Sequence, residues 1–299
     1  MTVVDRVAAS AAGASRAAGG ARAAAAATAR SRLTMASPVY RDSDAQFVMT
    51  VTAVRDLGHG LRRITFSANE FGDFRVCGAD EYFGLVFPRG GAELTLPDPG
   101  ENVRAAIAEM PDDVRPGLRW YTVRSQDPAA STIDVDIVTH GDSGPGSAWA
   151  CTARVGDRVG FRSGGALYRG HECDGRLLLV ADETALPALA AILETHPADA
   201  DRATIHVELP DEGMLTAYPV IAGTDVTVHR RTDGIPGSAL LPALRADAAT
   251  RGLRDVEYAW ACGESGLVTE TRRHLVKAVG LDRHSVLFSG YWKLGQERG

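Results

Sequence analysis

The sequence predicts two domains: an antiparallel β-barrel, then an α/β domain with a doubly wound parallel sheet. Three observations predict it. Short strand-like segments punctuated by Gly, Pro and Asp run from Gln46 to Gly164. After Gly175, apolar strand-length runs alternate with helical stretches. Between them, Ser163–Gly175 is polar and Gly-rich, a natural boundary. The barrel is therefore expected over 37–170 and the α/β domain over 171–299, after an extension at 1–36.

The elements follow in order. Phe47–Val54 alternates and is rich in β-branched residues, and Arg62–Phe66 follows a Gly58-His59-Gly60 turn. Tyr82–Phe87 ends at Pro88, a helix is expected over Glu101–Met110, and Arg119–Arg124 is the next strand. In Ile133–Val138 the residues Ile133, Val135 and Ile137 face one way, with Asp134 and Asp136 opposite. Arg158–Phe161 closes the set. Leu177–Val180 is wholly apolar, as suits a strand covered on both faces. A helix follows, with Thr184 at its cap and Pro187 in its first turn. Strands are then expected at Ile205–Leu209, Val226–Arg230, Val256–Ala261 and Val286–Ser289, and helices at Ser238–Ala249 and Leu267–Val279.

Composition excludes several classes. The chain has 299 residues, 45% of them hydrophobic, too many for a disordered chain. No apolar run approaches the ~18–20 residues of a membrane span; Leu186–Leu193 is core-sized. Residues 1–36 hold five Arg, one Asp and fifteen Ala, leaving a net charge of −10 on residues 37–299. That acidity disfavours nucleic acid as a partner. The extension has the composition of a transit peptide, but disordered chain with Met35 as initiator is the simpler expectation. Cys77, Cys151, Cys173 and Cys262 form no C-x-x-C pair, which suits reduced thiols, a cytoplasmic protein and no metal site.

Two segments carry chemistry. In Arg119-Trp120-Tyr121-Thr122-Val123-Arg124, alternation puts Arg119 and Tyr121 on one face, and Trp120, Thr122 and Arg124 on the other. A flavin site needs a cation for pyrophosphate, an aromatic plane and a small donor at the reactive ring edge. Arg124 equally suits a surface charge. The segment His140-Gly141-Asp142-Ser143-Gly144-Pro145-Gly146-Ser147-Ala148-Trp149 follows a strand, and its glycines let backbone approach a phosphate.

Together these motifs resemble the siderophore-interacting protein family, FAD-dependent ferric-siderophore reductases of the ferredoxin-reductase-like superfamily. Supporting segments are Asp80–Pro88, Ala181–Pro187, Ala261–Glu264 and Gly290–Gly295. The resemblance covers roughly residues 40–298. It implies FAD held by Arg119, Trp120, Tyr121, Thr122, Thr139, His140, Gly144 and Ser147, with Trp149 packed behind. It implies NADPH or NADH as co-substrate and a ferric siderophore as partner. Lys293 matches a substrate-binding basic position, and Trp292 beside it joins the cofactor set. Where the family often carries another lysine, this chain has Gly84; Arg62, Arg63 or Arg272 are candidate substitutes.

Asp182-Glu183-Thr184 lies where the first parallel strand ends, the place where open α/β sheets bind ligands. The two acids suit a nicotinamide carboxamide or ribose; Asp182 and Thr184 equally suit helix capping. Gly263 and Glu264 end a later strand and are expected in the same cleft. Arg230 and Arg231 are candidates for a 2′-phosphate, or are solvated charges.

The expected function is hydride transfer from NAD(P)H to FAD, then reduction of chelated Fe(III) to Fe(II) by a cytoplasmic monomer. Thr122 and Lys293 are the residues expected to serve the chemistry. The alternatives are a flavodoxin, ferredoxin or free flavin as acceptor, or a flavoprotein that binds siderophore without catalysis.

Overall fold

The computed structural model describes residues 37–41, 44–100, 102–139, 144–249, 253 and 255–296. The extension 1–36 lies outside the described residues.

The first part is an antiparallel sheet. Its strands are β1 (Val39–Tyr40), β2 (Gln46–Gly58), β3 (Leu61–Ser67), β4 (Tyr82–Phe87), β5 (Gly117–Thr122), β6 (Ser125–Asp127), β7 (Thr132–Val138) and β8 (Arg158–Ala166). Their order is β5-β4-β8-β2-β3-β7-β6, with β1 against β8. The two ends of the sheet meet just past β5, where Arg124 N donates to Asp134 O at 2.9 Å. Helices α1 (Val103–Glu109) and α2 (Pro145–Thr152) lie between strands.

Alternation fills the interior with apolar side chains, among them Ile64, Phe66, Val135 and Ile137. Phe161 is sandwiched between Phe47 and Phe83, with centroids at 4.7 and 4.9 Å. On the other face of β7, Asp136 is only 4% exposed, and Arg63 donates to it at 2.6 and 2.7 Å.

The second part alternates strand and helix: β9 (Arg176–Asp182), α3 (Leu186–Thr195), α4 (Pro197–Ala200), β10 (Ala203–Leu209), α5 (Pro219–Ala222), β11 (Val226–Arg230), α6 (Leu240–Ala249), β12 (Val256–Glu264), α7 (Ser265–His274) and β13 (Val286–Trp292). All five strands are parallel, in the order β11-β10-β9-β12-β13. Apolar clusters cover both faces, which is why Leu177–Ala181 has no polar side chain. Strand order reverses beside β9, so a crevice opens at its carboxyl end.

Several helix starts differ from the sequence reading. Helix α1 starts at Val103 after an Asn102 cap, and Thr184 lies in a short turn capped by Asp182 rather than at the cap of α3. Glu208 accepts from the N–H groups of Gly237, Ala239 and Leu240, so α6 begins after this cap. Glu264 caps α7 through Gly266 N and Leu267 N, which starts that helix two residues early. Its last turn widens, with Gly280 N reaching back to Leu275 O. Among the described residues no helix is long and apolar enough to cross a membrane.

Asp80 joins the two sheets. Its carboxylate is fully buried and accepts from Leu167 N (2.8 Å), Tyr168 N (2.9 Å) and the Trp260 indole (3.0 Å). Burial raises its pKa, and these donors oppose the rise. Arg124 adds a bidentate pair to Glu194 of α3, both bonds 2.6 Å. Asp80→Ala would strand three buried donors, so a loss of about 3–5 kcal/mol is expected. Urea unfolding followed by tryptophan fluorescence checks it; a loss below about 1 kcal/mol would contradict the role.

Candidate active site

A cleft of about 1130 Å³ lies between the two sheets. One wall is β5 and the start of α2; the other is formed by the carboxyl ends of β9 and β13. That volume suits a dinucleotide-sized ligand.

Strand β5 lies at one end of the sheet order, and residues from both its faces line the cleft. Arg119 and Tyr121 share the face against α2. A Cβ on Gly146 would stand 2.5 Å from the Tyr121 hydroxyl and 2.9 Å from Arg119 Cγ, so only glycine lets the helix start come this close. Gly144 precedes it at φ 88°, with open space where a Cβ would be. No side chain caps α2, and Pro145 has no N–H. Helix α2 turns its amino end, the positive end of its dipole, toward the cleft, which suits an anion. Burial pushes the Tyr121 phenol up to about 12, against the pull of Arg119, so it stays neutral.

The other face carries Trp120 and Thr122. Thr122 is 7% exposed and sits across from Tyr82 in register; Trp120 sits across from Gly84. A Cβ on Gly84 would press on Leu118 Cδ1 at 2.8 Å and lie 3.5 Å from the Trp120 ring. A lysine at this position would have to displace that packing.

On the parallel-sheet wall, Glu183, Thr184, Arg231, Trp292 and Lys293 line the cleft. Glu183 accepts from Arg231 at 2.5 Å, and both side chains are almost fully buried. Arg231 is therefore a wall residue paired with an acid, not the solvated cation or 2′-phosphate contact of the sequence reading; Arg230 is exposed.

Asp182, Gly263 and Glu264 do not line the cleft, unlike the expectation. They stand behind it. Asp182 is fully buried and accepts from Thr184 N and Oγ1, Glu264 N and the Trp292 indole at 2.6–2.9 Å. Gly263 adopts φ 142°, and a Cβ there would meet the Asp182 carboxylate. Glu264, besides capping α7, accepts from Leu294 N. The three acid-and-glycine positions thus fix the segment that presents Trp292 and exposed Lys293.

Thr139 also stands outside the cleft lining, its hydroxyl donating to Gly60 O, and Trp149 packs on Phe66 and Phe87. His140 lies outside the described residues. The candidate substitutes for the missing lysine are engaged elsewhere: Arg62 on the carbonyls of Ala150 and Cys151, Arg63 on Asp136, and Arg272 over the Phe288 ring. Sequence reasoning missed Tyr82, Gly146 and Arg162 in the lining. Cross-strand register brings Tyr82 and Arg162 there, and no local motif shows register.

The glycine-built approach of α2 to Arg119 and Tyr121 fits a flavin dinucleotide. Gly146→Ala is expected to weaken FAD binding at least tenfold, read by flavin fluorescence titration; unchanged affinity would contradict the fit. Burial and Glu183 push the Asp182 carboxyl up to about 7. Its folded pKa lies above the unfolded one. Its stabilising contribution is therefore complete below about pH 4 and lost as pH rises through about 7. A step in Trp292 emission near pH 7 is expected, absent in Asp182→Asn.

Comparison with known proteins places this architecture. Residues 50–166 match the model of the siderophore-interacting FAD-binding domain, and residues 175–295 match that of the siderophore-interacting protein. An uncharacterized protein of Mycobacterium tuberculosis is 32% identical over 255 residues, 82% of this chain and 89% of that one. Ferric vibriobactin reductase ViuB of Vibrio cholerae is 27% identical over 239 residues, 79% of this chain and 85% of that one. The crystal structure of siderophore-interacting protein SipS from Aeromonas hydrophila is 30% identical, with a TM-score of 0.65 over 85% of this chain and 94% of that one. A ferredoxin NADP+ reductase from Neisseria gonorrhoeae, 15% identical with a TM-score of 0.58 over 82% of this chain and 98% of that one, shares the fold. Matched in both domains and in their order, the chain belongs to the siderophore-interacting protein family.

Proposed function

We propose that the protein is a ferric-siderophore reductase that uses FAD and NAD(P)H. One observation carries the reading: a single cleft joins the glycine-built anion site at Arg119 to the carboxyl end of a parallel sheet. The name of the relative ViuB, a ferric vibriobactin reductase, supports the same substrate class.

When bound, FAD would supply the redox chemistry that couples a two-electron hydride donor to one-electron reduction of chelated Fe(III). The chain's own residues bind, orient and shield. Arg119 and the first turn of α2 would hold the pyrophosphate. Tyr121, kept neutral, offers a plane for the ring system to lie on. The Thr122 hydroxyl, nearly shut off from water, offers a hydrogen bond to the ring edge. Glu183 and Arg231 neutralise each other, so the nucleotide side of the cleft carries no isolated buried charge. Trp292 is pinned by its bond to Asp182 and closes that side. Lys293 attracts an anionic chelate at the rim. Fe(II) holds siderophore oxygens more weakly than Fe(III), so reduction frees the metal.

Anaerobic mixing of the FAD-loaded protein with NADPH, a ferric siderophore and an Fe(II)-trapping dye tests the reading. The flavin should bleach and about two Fe(II) should form per nucleotide consumed, because a hydride carries an electron pair. No bleaching would overturn it. Lys293→Ala should raise KM for anionic chelates about two- to fivefold and leave neutral ones unchanged, the scale of one rim charge.

A further inference from the structure

The two-residue turn between β2 and β3 reaches across to the other domain. Its residues, His59 and Gly60, have φ 54° and 77°, which makes the turn type I′. Such a turn favours Asn-Gly, and here histidine takes the place of asparagine. What the histidine adds is reach. His59 Nδ1 lies 2.7 Å from Asp211 Oδ2. Its ring rests on Gly213, where a Cβ would stand 2.6 Å from both ring nitrogens. Gly213 has no positive φ, so the ring above it, not the backbone, is what requires a glycine. Asp211 caps the short turn Glu212–Ala217 through Gly213 N, so acid and glycine form one receptor for the ring.

Apolar side chains frame this polar tip. Leu61 is fully buried in the core of the parallel-sheet domain, Leu57 packs against that core, and Met214 beside Gly213 belongs to it. The tip also touches both walls of the cleft. Gly60 O accepts from Thr139 N at 2.7 Å and from its hydroxyl at 3.0 Å, and Val138 just before it lines the cleft. Pro210, between the end of β10 and Asp211, lines the cleft from the parallel-sheet side. Asp80 and Arg124 hold the sheets together elsewhere. His59 joins the walls beside the carboxyl end of β10. The FAD contacts assigned above lie on the wall of β5 and α2. A nucleotide at the ends of the parallel strands must also reach the flavin, so it spans both walls. A ligand that spans two walls binds more tightly when their spacing is fixed beforehand.

We infer that His59 is a positioning residue for the pyridine nucleotide: its contact with Asp211 and Gly213 fixes the spacing of the walls that the nucleotide bridges. This rests on the NAD(P)H reading above.

Binding of NADP+ and of NAD+ to the FAD-loaded protein tests it, read without turnover from the change in flavin absorption. His59→Asn keeps the turn, which asparagine suits, and shortens the side chain. Gly213→Ala keeps the histidine and pushes its ring away. Each should raise Kd for whichever nucleotide the wild type binds about two- to fivefold, the scale of one half-exposed pair. Kd for FAD and the urea midpoint of His59→Asn should stay unchanged. The double variant should match His59→Asn alone, because the alanine acts only through the ring. A merely structural turn would weaken FAD and nucleotide alike and give an additive double variant; either result would overturn the inference. If Gly213→Ala does not fold, His59→Asn still decides. A wild type that binds neither nucleotide rejects the NAD(P)H reading and this inference with it. Wild-type binding that His59→Asn leaves intact rejects the inference alone.

Discussion

The carboxylate of Asp80 takes two backbone N–H groups where the antiparallel sheet ends and an indole N–H from the middle of the parallel sheet. It has no access to water, so each donor depends on it. The cleft is the space left between sheets held at this point and at the Arg124–Glu194 pair. Its walls come from different domains, and any shift between them would separate the Arg119 side from the Trp292 side. Buried polar contacts suit this task because they are directional, whereas apolar contact alone permits sliding.

A second buried carboxylate repeats the device on a smaller scale. Asp182 gathers the ends of β9, β12 and β13, and so determines where the last strand delivers Trp292 and Lys293. The sequence motif around Asp182 and Glu183 reads as ligand chemistry. In the fold its two acids divide the work: one holds the wall together from behind, and the other stands in the wall paired with Arg231. Distance from the ligand does not make the first less needed, since a rim residue is only as well placed as the strand that carries it.

The order of strands and helices was legible because burial leaves a period in the chain. β7 alternates with its interior, and β9 is apolar on both faces, as its sequence implies. Helix starts were less legible. Glu208 caps α6 from about thirty residues away, and nothing near Ser238 announces it. The cleft-lining residues Arg119, Tyr121 and Thr122 were legible as one strand of contiguous letters. The pairing of Asp136 with Arg63 and of Arg231 with Glu183 was not legible, because the partners lie on other elements. The packing at Gly84 was illegible for the same reason: Gly84, Trp120 and Arg162 meet only through the register of β4 with β5 and β8.

Arginine outnumbers lysine thirty to two in this chain, and one of the two lysines stands on the cleft rim. Arginine holds its proton at any ordinary pH and resists acylation, whereas a lysine amine can be acylated. Lys277 is exposed on the widened turn after α7, away from the cleft lining. Apart from the chain's α-amino group, an amine-reactive dye therefore has two side-chain targets, and a Lys277→Arg background leaves Lys293. The scarcity that first looked like a trait of composition makes the cleft mouth chemically addressable, so a reporter can be placed at the cleft without introducing a cysteine.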